Sequence, residues 1–235
     1  DTIRVSLTED PEFEVPVCKD LVRSLPTTFL EREDKETSST IKLPYNPFEY
    51  KRRTTHAVSN TGGKHVPIVI ADFMLAPAIT PADLQTIGYK YNEQTDKWNI
   101  ADAAADYLYT AGKLIDFNLP GTLQVICDYK TWLTTREPEK YCPLFDKNNF
   151  AAAEKTSPKI NFISVNVSED NAALLNLIAK DTTVVLCIYA TQKNALQQLR
   201  SFIATLMNKN IQCPVVIAVE SMHKQLDEQL IHFST

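Results

Sequence analysis

The sequence predicts an α/β fold: a Rossmann-like, three-layer domain with a mostly parallel sheet of about five strands, preceded by an irregular N-terminal arm. Three observations carry this. Residues 159–235 alternate three strand-like apolar runs with three amphipathic stretches long enough to cross over, and parallel neighbours require such crossovers. Two further runs, near 66–71 and 122–127, supply the remaining strands and enough chain for one core. Residues 1–64 lack this grammar, which places the domain at 65–235, with an irregular half (65–158) and a regular βαβαβα half (159–235).

The arm carries Pro11, Pro16, Pro26, Pro44 and Pro47 and the mixed charge run Glu31-Arg-Glu-Asp-Lys-Glu36. One short helix is predicted over 17–25, where Val17, Leu21 and Leu25 recur every four residues before Pro26 stops them. The rest reads as extended chain, because proline forces its predecessor out of the helical region. Tyr45, Phe48 and Tyr50 give it an aromatic face suited to lying on a surface, its own or a partner's.

Val66-Pro-Ile-Val-Ile-Ala71 is rich in β-branched residues, as a strand buried on both faces should be. Thr80-Pro-Ala-Asp83 predicts a helix start, with Thr80 as cap, Pro81 in the first turn and Asp83 reaching back. Tyr89 to Trp98 alternates around a polar centre and predicts a hairpin. Ile100, Ala104, Tyr107, Leu108, Ala111 and Ile115 then keep to one helical face. Pro120-Gly121 ends that stretch, and 122–127 is a strand. Residues 129–158 are poorly patterned, with one helical turn expected at 151–155. Beyond them come strands at 161–167, 183–189 and 214–219, and helices opened by Ser168, Thr191 and Ser221.

The chain has 235 residues, 44% apolar and 23% charged, with a net charge of −5. That balance excludes wholesale disorder and argues against nucleic acid or an anionic membrane as main partner. No run approaches the ~18–20 apolar residues of a bilayer span. The five cysteines include no Cys-x-x-Cys pair, so reduced thiols in a cytoplasmic protein are expected. The chain opens on Asp1 rather than Met, which leaves room for a lost targeting segment.

Familiar chemistries are mostly missing. Parallel sheets bind ligands beyond the carboxyl ends of their strands, and phosphate binders carry a glycine-rich turn there. Ser59-Asn-Thr-Gly-Gly-Lys-His65 fails as such a loop: Val58 stands where the first glycine belongs, His65 replaces the magnesium-binding hydroxyl, and a strand follows. The layout is similar to small GTPases and receiver domains only as architecture. No Gly-x-Ser-x-Gly elbow exists. His56, His65, His223 and His232 offer no converging metal set, and no cofactor is expected. Cys142, with Lys140 near it, is a weak nucleophile candidate against the alternative of a packed loop thiol. Asp72 and Asp128 are the best acid–base pair, should they meet in the crevice.

The leading expectation is therefore a non-enzymatic adaptor or structural subunit of a larger assembly. It would contact other protein subunits through Tyr45, Phe48 and Tyr50 of the arm and Tyr89, Tyr91 and Trp98 of the hairpin, and no small-molecule ligand is expected. The alternative is an enzyme or small-ligand binder using the strand-end crevice, with Asp72, Asp128, Ser168, Thr191 and Glu220 at hand. A receiver-like domain phosphorylated at Asp72 ranks third.

Overall fold

The computed structural model describes residues 10–24, 44–46, 49, 51–190 and 195–218. The chain divides into two units, Asp1–Lys42 and Leu43–Thr235. In the first, α1 (Pro11–Ser24) carries Glu12 and Glu14 in its first turn and Arg23 in its last, both complementing the helix dipole. Its residues Phe13, Val17 and Leu21 form an exposed stripe at four-residue spacing. Phe48, Tyr50, Thr191, Glu220 and the helix expected from Ser221 lie outside the described residues.

The second unit is an α/β domain with a curled sheet of seven strands in which every pairing is parallel. A hairpin comes first, β1 (Ala57–Val58) and β2 (Thr61–Gly62), and β3 (Ile70–Asp72) follows it. A second hairpin, β4 (Tyr89–Asn92) and β5 (Lys97–Ile100), interrupts the sheet, as its alternation predicts. The sheet then continues through β6 (Tyr107–Tyr109), β7 (Gln124–Asp128), β8 (Tyr141–Asp146), β9 (Asn161–Asn166), β10 (Val184–Tyr189) and β11 (Val215–Ile217). Strand order follows chain order, from β3 through β6 to β11.

Helices α2 (Tyr129–Thr134), α3 (Lys147–Ala151), α4 (Ala172–Ile178) and α5 (Ala195–Asn208) connect the later strands. They cover one face of the sheet. Phe150 of α3, Leu174, Leu175 and Ile178 of α4, and Phe202 and Leu206 of α5 pack with Phe145, Ile163, Val165, Val184, Leu186 and Ile188. Trp132 of α2 packs on Val125 and Cys127 of the same face. Side chains alternate along a strand, so the intervening residues point the other way. Tyr107, Ile126, Cys142, Phe162 and Val185 cluster there, with Ile70 and Val216 of the two edge strands packed against them.

That second face is concave. Tyr107 on β6 and Phe162 on β9 are three strand spacings apart, roughly 14 Å at ~4.8 Å each in a flat sheet. Their ring centroids are 5.4 Å apart, edge to face. The sheet has therefore wrapped around its own apolar side chains.

Four details depart from the sequence-based expectations. The stretch 100–115 contains strand β6 instead of a helix, because Tyr107 and Leu108 serve opposite faces of the sheet. The unpatterned stretch 129–158 contains α2, β8 and α3. Pro143 is tolerated within β8 where pairing to β9, which begins at Leu144↔Phe162, has yet to start. Residues 51–64, expected in the arm, are built into the α/β body. Arg53 donates to the carbonyls of Ile211 (2.8 Å) and Cys213 (2.6 Å), the His56 amide to Gln212 (3.0 Å), and Val58 is core. At the expected helix start, Asp83 does reach back: its Oδ2 accepts from the Thr80 amide (2.8 Å) and hydroxyl (2.7 Å), ahead of a 3-10 turn over Asp83–Ile87.

Candidate functional site

In parallel α/β folds the ligand-competent end lies where the strands finish, because the connecting loops there can vary without disturbing the sheet. The concave face ends in a rim of polar residues. By strand alternation from the inward Ile70, Tyr107, Ile126, Leu144, Phe162 and Cys187, the last inward residues are Asp72, Tyr109, Asp128, Asp146, Asn166 and Tyr189.

Two of the six serve local structure. Asp146 Oδ1 accepts from the amides of Asn148 and Asn149, 2.8 Å each, capping α3. Asn166 Oδ1 accepts from Ser168 at its amide (3.1 Å) and hydroxyl (2.7 Å), so Ser168 closes a turn there.

Asp72, Tyr109 and Asp128 sit on the neighbouring strands β3, β6 and β7 and form the chemically versatile part of the rim. Asp72 is in register with Tyr109, whereas Asp128 lies two residues beyond Tyr109's partner Ile126. The Tyr109 hydroxyl spans that offset and donates to Asp128 Oδ1 at 2.8 Å. Asp72 Oδ1 accepts from the Met74 amide at 2.8 Å. Among the described residues no hydrogen bond reaches the second oxygen of either carboxylate. Burial raises the Tyr109 phenol pKa far above its ordinary value. The hydrogen bond to Asp128 and the charges of Asp128, Asp72 and Cys127 push it the same way. Tyr109 is therefore a fixed proton donor, and Asp128 is the acceptor it orients.

Asp72 and Asp128, the acids singled out by sequence, stand at the ends of the two strands that flank Tyr109's strand β6. Tyr109 was missed. It lay inside a stretch with helical periodicity, although its aromatic pair with Tyr107 was a strand signal.

A second concavity, of about 770 Å³, lies at the opposite, amino-terminal end of β7, β8 and β9, lined by Trp132, Tyr141, Cys142, Lys155 and Lys159 among others. The Lys155 ammonium stands 5.1 Å over the Trp132 ring. Cys142 is buried, and desolvation pushes its thiol up to about 12. Its Sγ is directed at Gln124 Oε1, 3.6 Å away, in a packed environment that disfavours the thiolate a nucleophile needs.

The aromatics expected to meet a partner are largely engaged within the domain. Tyr89 is buried, with its hydroxyl on the Ala105 carbonyl at 2.7 Å. Trp98 packs between Tyr91 and Phe117 and donates to the Asn118 carbonyl at 3.1 Å. The Tyr91 hydroxyl donates to Asp96, and Tyr45 is partly exposed. Among the described residues no group of three or more His, Cys, Asp or Glu side chains could hold a metal ion. No described helix is long and apolar enough to cross a membrane.

Fold and rim define a parallel α/β domain with a curled sheet whose carboxyl edge is polar. No family model and no solved structure matches the chain. Among curated proteins it is 28% identical over 223 residues, 92% of this chain, to a 4-hydroxy-3-methylbut-2-en-1-yl diphosphate synthase (flavodoxin) of Bacteroides thetaiotaomicron. It is 26% identical, again over 92% of its length, to the protein of the same description in Phocaeicola vulgatus. A 75-residue stretch is 41% identical to the one in Porphyromonas gingivalis. The chain spans about a third of the length of the first two, 31% in each case.

These likenesses correct the leading expectation. The relatives are named as enzymes that make a small diphosphate, so the reading as a non-enzymatic adaptor, with only protein subunits as partners and no small-molecule ligand, is overturned. It rested on scarce glycine at the strand-end turns. That scarcity speaks against one way of cradling a phosphate, but not against catalysis.

Proposed function

We propose that this chain forms part of a 4-hydroxy-3-methylbut-2-en-1-yl diphosphate synthase that works with flavodoxin, in the cytoplasm. The observation that carries this is likeness over 92% of the chain to proteins of that description. Within the chain, the rim of Asp72, Tyr109 and Asp128 is the surface suited to a small ligand. Two carboxylates with open oxygens accept from hydroxyl groups or hold a cationic group, and Tyr109 fixes the direction of Asp128. The same carboxylates repel a diphosphate, so the diphosphate end is held elsewhere in the enzyme.

The test is genetic. The full-length gene is expressed in a bacterium whose own synthase can be switched off. Growth without the resident enzyme supports the reading; no growth despite folded, full-length protein overturns it. In the rescued strain, Tyr109→Phe and Asp128→Asn should slow growth at unchanged protein level. Wild-type growth of both variants would remove the rim from the reaction.

A further inference from the structure

The cavity of about 770 Å³ at the amino-terminal end of β7, β8 and β9 lies away from the rim, and the rim's chemistry makes no use of it. Three stretches wall it, each just ahead of a strand: residues 119–121 before β7, the 3-10 turn Pro138–Lys140 before β8, and residues 155–160 before β9. Its volume suits a small organic molecule better than a single ion.

The groups it leaves unused are mostly cations and hydrogen-bond donors. Three lysines and two glutamates line it. Lys140 donates to Glu137 at 2.8 Å and also feels the charge of Glu139. Lys155 and Lys159 form no ion pair among the described residues. The Lys155 ammonium stands 5.1 Å from the centroid of the Trp132 ring, and Trp132 is itself fixed, its Nε1–H donating to the Pro138 carbonyl at 3.0 Å. The charge of Lys159 reaches the Cys142 thiol. The buried Tyr141 accepts from the Ile115 amide at 3.1 Å, and its own O–H has no acceptor among the described residues. Gln124 turns Oε1 toward Cys142 Sγ, and among the described residues no hydrogen bond uses its amide N–H groups. Beside these donors, Ile115, Phe117, Leu119 and Leu123 make an apolar wall.

Two unpaired ammonium groups with two spare donors suit a phosphate, whereas the apolar wall stays wet unless the ligand carries a hydrocarbon body. We propose that this cavity is a second ligand site, separate from the rim, for a small organic phosphate ester. Its phosphate end lies against Lys155 and Lys159, and its apolar body against Phe117 and Leu119. A ligand there ties together the three stretches that precede β7, β8 and β9, so the site is regulatory and not catalytic. On the proposed function the protein makes an ester of this class, and the site then senses compounds akin to the product; the site itself stands without that reading.

A brief pulse of lysine acetylation on the full-length protein, read by mass spectrometry, tests this with 3-methylbut-2-en-1-yl diphosphate and phenyl phosphate as probes. A saturating ester should slow acetylation of Lys155 and Lys159 by at least about 10-fold, while the exposed Lys90 and Lys130 keep their rates. Inorganic diphosphate should need about 10-fold more for the same protection, because it leaves the wall uncovered. Lys159→Gln should raise the ester concentration that protects Lys155 by about 10-fold, with Lys90 and Lys130 reacting as in the wild type. Protection by neither ester, or equal protection by inorganic diphosphate, would overturn the proposal. Equal slowing at Lys90 and Lys130, or a Lys155 response indifferent to Lys159→Gln, would overturn it as well. The readout needs no turnover. Protected lysines in a protein that fails to rescue growth, or unprotected ones in a protein that rescues it, therefore separate this inference from the proposed function.

Discussion

Replacing Tyr107 and Phe162 by Leu, singly and together, measures the curl of the sheet directly. Both rings are fully buried, and they meet edge to face at 5.4 Å although their strands are separated by β7 and β8. Leu keeps part of the apolar volume, so Phe162→Leu should cost about 1–2 kcal/mol of stability. Tyr107→Leu also removes the hydroxyl bonded to Asn60 Oδ1, which brings its cost to about 2–3 kcal/mol. If the rings touch, the double variant loses less than the sum of the two. The difference is the aromatic pair term, about 0.5–1.5 kcal/mol. Urea unfolding of the four proteins, compared at a common m-value, provides the numbers. In a flat sheet the two sites would be independent. Additivity within about 0.3 kcal/mol would refute the wrapped geometry, and with it the placing of Asp72 and Asp128 on a common rim.

Two further outcomes follow from the segment that docks beside β11. Gly62 has φ +76°, and a Cβ there would stand 2.4 Å from the His56 carbonyl oxygen and 2.4 Å from Pro214 Cγ. Gly62→Ala should therefore destabilise by about 2–4 kcal/mol in a thermal melt, whereas Gly121→Ala, with nothing within 4 Å of its Cβ, should stay within about 0.5 kcal/mol. Near-equal melting points would contradict the packing of the β1–β2 hairpin. His56, whose buried Nε2 has no hydrogen-bond partner among the described residues, has its pKa lowered by desolvation, against the pull of Asp181 and with the push of Arg53. A base depressed in the folded state binds its proton more readily when unfolded. Its stabilising share is present above pH 6.5 and is lost as pH falls through the folded pKa. Between pH 7.5 and 5.0 the wild type should lose more melting temperature than His56→Gln; equal losses would remove His56 as a cause.

Much of the fold was legible because it rests on local pattern. Strands β9 and β10, the α4 and α5 stretches and the β4–β5 hairpin each announce themselves by apolar runs or alternation that a packed element must have. Asp72 and Asp128 were legible as acids closing apolar runs. Strand β6 was not, because three residues are too few to outweigh the helical spacing of Ile100, Ala104 and Ile115; in the structure Ala104 and Ile115 pack on one cluster from irregular chain while Ile100 is exposed at the end of β5. Nor was β8, whose Pro143 reads as a break.

The sequence by itself determined the α/β class, the parallel sense of the sheet and the absence of a glycine-rich phosphate loop, because crossover length and turn chemistry are properties of neighbouring residues. Only the tertiary structure decided strand order, the wrapping that sets Tyr107 against Phe162, and the hydrogen bond that joins Tyr109 to Asp128. Each of these depends on which buried faces meet across long stretches of chain, and a short apolar run is compatible with many neighbours until the whole core is packed.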